Sequence, residues 1–298
     1  MNRIRKRLKL RYNQFSSHPL TKGKEYDALL RYVCFHLMIM LKGKMIYKWI
    51  GHLKFIGRKG EAGIVGNIYY GLYEFEESIF LLHLLNKNDL FLDVGANVGH
   101  YSLIVSGLKQ TKSLAIEPVP KTYARLKEHI ALNHLEKLIE TRNVGVSNEN
   151  GKLYFSTDRG TMDRIVDSTY ENSVLVLVET IDSILADTVP LALKIDVEGY
   201  EKFALEGATK LLSNPNFKVI ILELNNSGKI YEINDVDIYN IVIDLGFKPY
   251  SYNPKNRALK ELINYNTHQF NTIFVRDLEF VKSRVISSSP IEICNQYF

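Results

Sequence analysis

The sequence predicts an α/β protein built on a mostly parallel sheet with helices on both faces, and three stretches predict it. Residues 89–102 read DLFLDVGANVGHYS. A short β-prone run from Leu90 to Val94 carries an acid and passes through a turn with glycines at 95 and 99 into a helix, as a parallel strand does above a nucleotide-like ligand. Residues 113–117, SLAIE, again end an apolar strand in an acid, and residues 191–201, LALKIDVEGYE, do so with several charges. Such strand ends, alternating with helical patterns, mark a doubly wound sheet with a ligand across its carboxyl edge.

The totals bound the class. With 298 residues, 46% apolar and 11% aromatic, the chain is long enough for one large domain and an extension. Cys34 and Cys294 lie far apart and outside any C-x-x-C pair, which gives no support to a disulfide framework or zinc site and fits a reducing, cytoplasmic setting. The net charge of +5 is uneven: residues 1–60 hold 15 Lys and Arg against Glu25 and Asp27, a net +13, and the remaining 23 basic and 31 acidic residues give −8. Such an arm is read either as a surface held against nucleic acid or an anionic membrane, or as a solvated, partly helical leader. Its most apolar piece, YVCFHLMIML at 32–41, has ten residues, against the ~20 that cross a bilayer. The polar stretch at 11–25 also argues against a signal peptide. Residues 26–56 read as one or two basic amphipathic helices broken near Gly43 and Gly51, and KGEAG at 59–63 as a linker dividing an extension, 1–60, from the main domain, 61–298.

The first glycine turn runs Asp93-x-Gly95-x-Asn97-x-Gly99. A dinucleotide site uses G-x-G-x-x-G with a pyrophosphate on the helix N-terminus and no acid in the turn. An acid before the turn repels a pyrophosphate but suits a ligand bearing an ammonium and a sulfonium, S-adenosylmethionine; a glycine turn with no ligand is the plain alternative. Glu117, 22 residues past Gly95, is placed to accept hydrogen bonds from ribose hydroxyls, which serves a nicotinamide or an adenosyl cofactor equally. Asn143, at the end of a third strand over 138–144, is placed to meet the adenine.

In chain order, the aromatic stretch 66–73 leads into a helix over 74–85, and the loop before that helix is a lid candidate. Tyr69, Tyr70 and Tyr73 either line a substrate entrance or pack in the core. Helices follow over 101–108 and from Pro120 to about Asn133, the latter with Tyr123, Leu126 and Ile130 on one face. His129 and His134, five apart, miss the spacing for a shared metal and are expected at the surface. Asn150-Gly151 predicts a hairpin turn into Lys152–Ser156, residues 158–171 a substrate loop, 174–179 a returning strand and 180–185 a short helix capped by Thr180 or Asp182. At period two, Lys194, Asp196 and Glu198 point to one side of a buried strand, a costly arrangement unless they pair or face a ligand; a structural ion pair of Lys194 with Asp196 or Glu223 is the alternative. Helix 201–212, strand 218–223 and an antiparallel edge pair, 247–252 with 271–275, complete the chain.

DVGANVG at 93–99, EPVP at 117–120, KIDVEG at 194–199, ILELN at 221–225 and NTIFVRD at 271–277, with the NIYYGLYEFEE lead-in at 67–77, together resemble the FkbM family of S-adenosylmethionine-dependent methyltransferases over roughly residues 65–277. The resemblance implies a class I methyltransferase, Rossmann-like fold of seven strands with the last reversed, and methylation of a hydroxyl oxygen on a sugar or surface glycan. It assigns cofactor binding to Asp93, Gly95, Ala96, Asn97, Gly99, Glu117 and Pro118. Asp196 and Glu198 are the candidates for base or orienting group, with Lys194 and Glu223 as electrostatic partners. A divalent metal on Asp196 and Glu223 lacks a third ligand, so no metal is expected. No N/D-P-P-Y motif argues for base-amine methylation and no Pro-Cys pair supplies a nucleophile; an RNA ribose methyltransferase and a noncatalytic adenosyl-binding adaptor are the lesser readings.

Overall fold

The computed structural model describes residues 2–298. Its centre is an eight-stranded sheet in the order Ala258–Glu261, Lys248–Asn253, Asn271–Val275, Val219–Glu223, Ala192–Ile195, Leu90–Val94, Lys112–Ile116, Ile139–Arg142. From Val219–Glu223 to Ile139–Arg142 every pairing is parallel. Asn271–Val275 runs against Val219–Glu223 and against Lys248–Asn253. This is the expected seven-stranded arrangement with the last strand reversed, and an added hairpin strand, Ala258–Glu261, forms the edge. Asn271–Val275 therefore lies inside the sheet, and only its partner Lys248–Asn253 approaches the edge expected for the pair.

Both faces of the sheet are buried because the strands carry apolar residues at successive positions. Phe91, Ala115, Ala192, Val219 and Ile221 enter one core, roofed by helices Phe75–Leu84, His100–Lys109 and Leu278–Ser287. Leu92, Val94, Ile116, Leu193, Ile195, Ile220 and Leu222 enter the other, roofed by the helices at 181–185, 201–213 and 235–244.

Several local expectations are corrected. Residues 26–56 form one helix, Glu25–Lys42, then an antiparallel hairpin of Lys44–Lys48 with Lys54–Arg58. The breaks at Gly43 (φ 71°) and Gly51 (φ 56°) stand, but the alternating apolar residues between them pair as strands. Asn150-Gly151 does not join paired strands: Gly151–Ser156 pairs with Ser173–Glu179 in a separate four-stranded sheet, whose far member is Gly145–Val146. Thr180 caps the helix Ile181–Leu185, whereas Asp182 accepts from the backbone N–H groups of Lys210 and Leu211 and so caps a different helix. The predicted helix 201–212 divides at Gly207, where a Cβ would lie 2.1 Å from the Ser147 carbonyl oxygen. His129 is fully buried rather than at the surface: its Nε2 accepts from the Ile56 N–H at 3.0 Å and its Nδ1 faces the Val98 carbonyl at 2.8 Å. His134 is exposed as expected.

The basic arm packs on the sheet domain. Phe15, Tyr32 and Phe35 share an aromatic cluster with Phe55, Tyr69 and Tyr70, and Glu61, 2% exposed, pairs with Arg125 at 2.9 Å. No helix among the described residues is long and apolar enough to cross a membrane.

Candidate active site

Strand register builds the site. Lys194 is paired with Asp93 on one side and Ile221 on the other. One row nearer the carboxyl edge, the same register sets Asp196 beside Glu223, which is paired with Asn271. Acids far apart in sequence thus converge at the strand ends, where a doubly wound sheet binds ligands.

The glycine turn crosses this row. The N–H groups of Gly95 and Ala96 both donate to the Ile116 carbonyl, at 3.0 and 2.9 Å, and lock the turn to the neighbouring strand. Gly95 has φ 78°, and a Cβ there would lie 1.8 Å from the Asp196 carbonyl oxygen, so no side chain fits. Asp93, 2% exposed, accepts from the Ser102 N–H at 3.1 Å and its hydroxyl at 2.6 Å, capping the helix His100–Lys109. Burial raises its pKa to about 6, against the Ser102 hydrogen bonds.

Two clefts flank the turn and share Gly95, Asn97, Asp196 and Glu198. The first has apolar walls from Ile116, Val144, Phe155 and Ile165, with Glu117, Pro118, Thr122 and Asp163 also lining it. Glu117 accepts from the Asn97 N–H and the Val119 N–H, each at 3.0 Å. Burial still dominates, and its pKa is pushed up to about 8. Asn143 does not line this cleft; its amide nitrogen donates to the carbonyls of Glu117 and Pro118, tying the two strand ends together.

The second cleft is acidic. Tyr73, Glu74, Lys194, Asp196, Glu198 and Glu223 line it, with His100 and Tyr101 behind. Burial opposes the Lys194 charge, but Asp196, Glu74 and Glu223 outweigh it and hold the ammonium's pKa above its usual value. Lys194 Nζ lies 3.4 Å from Asp196 Oδ2 and donates to the Ile195 carbonyl. Burial first, then the charge of Asp196, push the pKa of Glu223 up to about 10, against the pull of Lys194. The strand ends at Ile195, so Glu198 does not share its face as expected; it stands in the following turn at φ 53° and reaches the cleft from there. Burial and then Asp196 push its pKa to about 7. Glu201 holds that turn by accepting from the N–H groups of Val197 and Gly199.

Three wall residues escaped the sequence reading. Glu74, at φ 50°, accepts from the Asn271 amide at 3.2 Å, and Tyr101 lies over Lys194, its ring centroid 5.9 Å from the ammonium. His100 bonds Asn67 at 3.1 Å and Ser78 at 2.9 Å, joining the 62–70 and 75–84 helices to the glycine turn. Burial, then Lys194, lowers its pKa to about 3, so it is neutral. The only sequence signal was their place in or beside the motifs. Of the three tyrosines left open, Tyr69 and Tyr70 are core and Tyr73 lines the cleft.

A family model described as the methyltransferase FkbM domain matches residues 93–261, more than half of the chain, from the end of the strand Leu90–Val94 to the end of the strand Ala258–Glu261. The chain belongs to the FkbM methyltransferase family. The hexuronic acid methyltransferase AglP of Haloferax volcanii is 27% identical over 143 residues, which are 47% of this chain and 58% of that relative. The FkbM chain therefore spans little more than half the length of this curated relative. Among solved structures, an FkbM methyltransferase from Methylobacillus flagellatus KT has a TM-score of 0.46 and 14% identity, covering 84% of this chain and 60% of its own. The TYW2 protein of P. horikoshii, in complex with MeSAdo, has a TM-score of 0.40 and 12% identity, covering 79% and 72%. The family is one of methyltransferases, and it implies an S-adenosylmethionine-type methyl donor. Among the described residues no group of His, Cys, Asp and Glu is arranged to hold a metal ion.

Proposed function

We propose that this FkbM protein transfers a methyl group from S-adenosylmethionine to a hydroxyl oxygen of a sugar, with the donor's nucleoside in the Glu117 cleft and the acceptor in the acidic one. The observation that carries the proposal is the pair of clefts that meet at Gly95, Asn97, Asp196 and Glu198. The residues fit the donor: an apolar slot ending in a carboxylate suits an adenosine, and the acids beyond the glycine turn suit its ammonium and sulfonium. Gly95, Ala96, Asn97, Gly99, Glu117 and Pro118 would hold it, and Asp93 would act by fixing the helix behind the turn. A bound donor supplies an electrophilic methyl carbon on sulfur.

The rest is done by this chain. Asp196, 30% exposed and facing both clefts, is the base that takes the acceptor's hydroxyl proton. Lys194, 3.4 Å away, orients that carboxylate and keeps negative charge affordable at the strand ends. Glu198, titrating near neutrality, orients the hydroxyl or shares the base role. Alignment of the acceptor oxygen is the larger part of the task, and the helix at 62–70 and Tyr73 form the wall that excludes water. The sugar class is supported by the AglP relative, a hexuronic acid methyltransferase.

The test is incubation with methyl-labelled S-adenosylmethionine and, separately, glycan, lipid-linked sugar and RNA fractions. Label in a sugar hydroxyl is the expected result. Label in RNA alone, or donor binding without transfer to any fraction, overturns the acceptor assignment.

A further inference from the structure

The helix Glu25–Lys42 is apolar on two opposite sides. Ala28, Tyr32, Phe35 and Ile39 are buried against the domain. On the outer side Tyr26, Leu30, Leu37 and Leu41 are 74%, 63%, 53% and 76% exposed. At the helical repeat these four fall within an arc of about 60° and a length of about 22 Å. Met40, 76% exposed, borders the row. Single exposed leucines are ordinary, but a continuous row of them is a contact surface.

The charge around the row identifies what it contacts. Arg5, Lys6, Arg7 and Lys9 are exposed on the helix Asn2–Ser17, which packs beside it, and Lys42 is exposed at its far end. Residues 1–60 carry 15 basic residues against two acids. We propose that this face lies in the surface of an anionic lipid bilayer, the leucines in the acyl boundary and the lysines and arginines on the headgroups. A second copy of the chain fits poorly, since it would bring two segments of net +13 together. An RNA would answer the cations but leave the leucine row in water. The helix lies on the surface and does not cross it. The proposal is independent of the acceptor, and its test reads no transfer.

The test is cosedimentation of the full chain with vesicles of phosphatidylcholine alone and of equimolar phosphatidylcholine and phosphatidylglycerol, at low and high salt. The expected result is binding to the anionic vesicles, weakened by salt, and none to the neutral ones. Leu37→Glu with Leu41→Glu should lower partitioning at least about tenfold, and Arg7→Gln with Lys42→Gln severalfold, each with an unchanged circular dichroism spectrum. Three results overturn the proposal: no binding of the wild type to anionic vesicles, wild-type binding by both folded double variants, or a wild-type dimer that the leucine substitutions turn into a monomer.

Discussion

The two clefts beside the glycine turn use the same side chain, a buried carboxylate, in opposite ways. On the first side Glu117 lies away from the buried ammonium, among mostly apolar walls that also include Asp163, and accepts two backbone N–H groups that fix both oxygens. On the second, Glu74, Asp196, Glu198 and Glu223 crowd one another around a single buried ammonium, and burial, then Asp196, push the pKa of Glu223 up to about 10. An acid held by backbone N–H groups is a rigid acceptor of hydrogen bonds; a crowded set of acids with raised pKa values can take up or release a proton. Under the proposed function the first cleft would hold and the second react.

Substitutions can break that contrast. Asp196→Ala should reduce kcat about 10³-fold, about 4 kcal/mol of transition-state stabilisation, while donor affinity measured by calorimetry stays within about threefold. A parallel loss of affinity would mean that Asp196 grips the donor instead. Gly95→Ala strikes both clefts at once, because its Cβ would meet the Asp196 carbonyl. It should cost about 3 kcal/mol of stability in a denaturant titration.

Glu117→Ala should weaken the donor about 30-fold, roughly 2 kcal/mol. Turnover at saturating donor should be nearly unchanged, a KM effect without a kcat effect. Equal affinity in wild type and variant would remove Glu117 from the donor site.

The smallest expected effect is on pH dependence. Burial raises Glu117 from 4.5 to about 8 and Glu198 from 4.5 to about 7. The unfolded chain loses these protons first, so between the two values the native state binds more protons and stability falls as pH rises. The ligand-free protein should therefore lose thermal stability from about pH 4.5 to about pH 8, and Glu117→Gln should flatten the upper part of that slope, between about pH 7 and about pH 8. An unchanged slope would place the titration elsewhere.

What the sequence determined was the local chemistry: apolar runs ending in acids, glycines where no side chain fits, and the order of strands, because these depend on neighbours in the chain. Asp93, Gly95, Glu117, Lys194, Asp196 and Glu223 were legible for that reason. The hairpin at 44–58 was missed because short apolar stretches satisfy both helical and strand periods. His129 was misplaced because its partners, Ile56 and Val98, are brought to it only by packing. Only the tertiary structure decided that Asp93 braces a helix, that Asn143 ties strand ends, and that Glu74 and His100 wall the acidic cleft. Sheet register is a long-range property: it sets Asp196 beside Glu223 and Glu223 beside Asn271, and no local pattern of residues carries it.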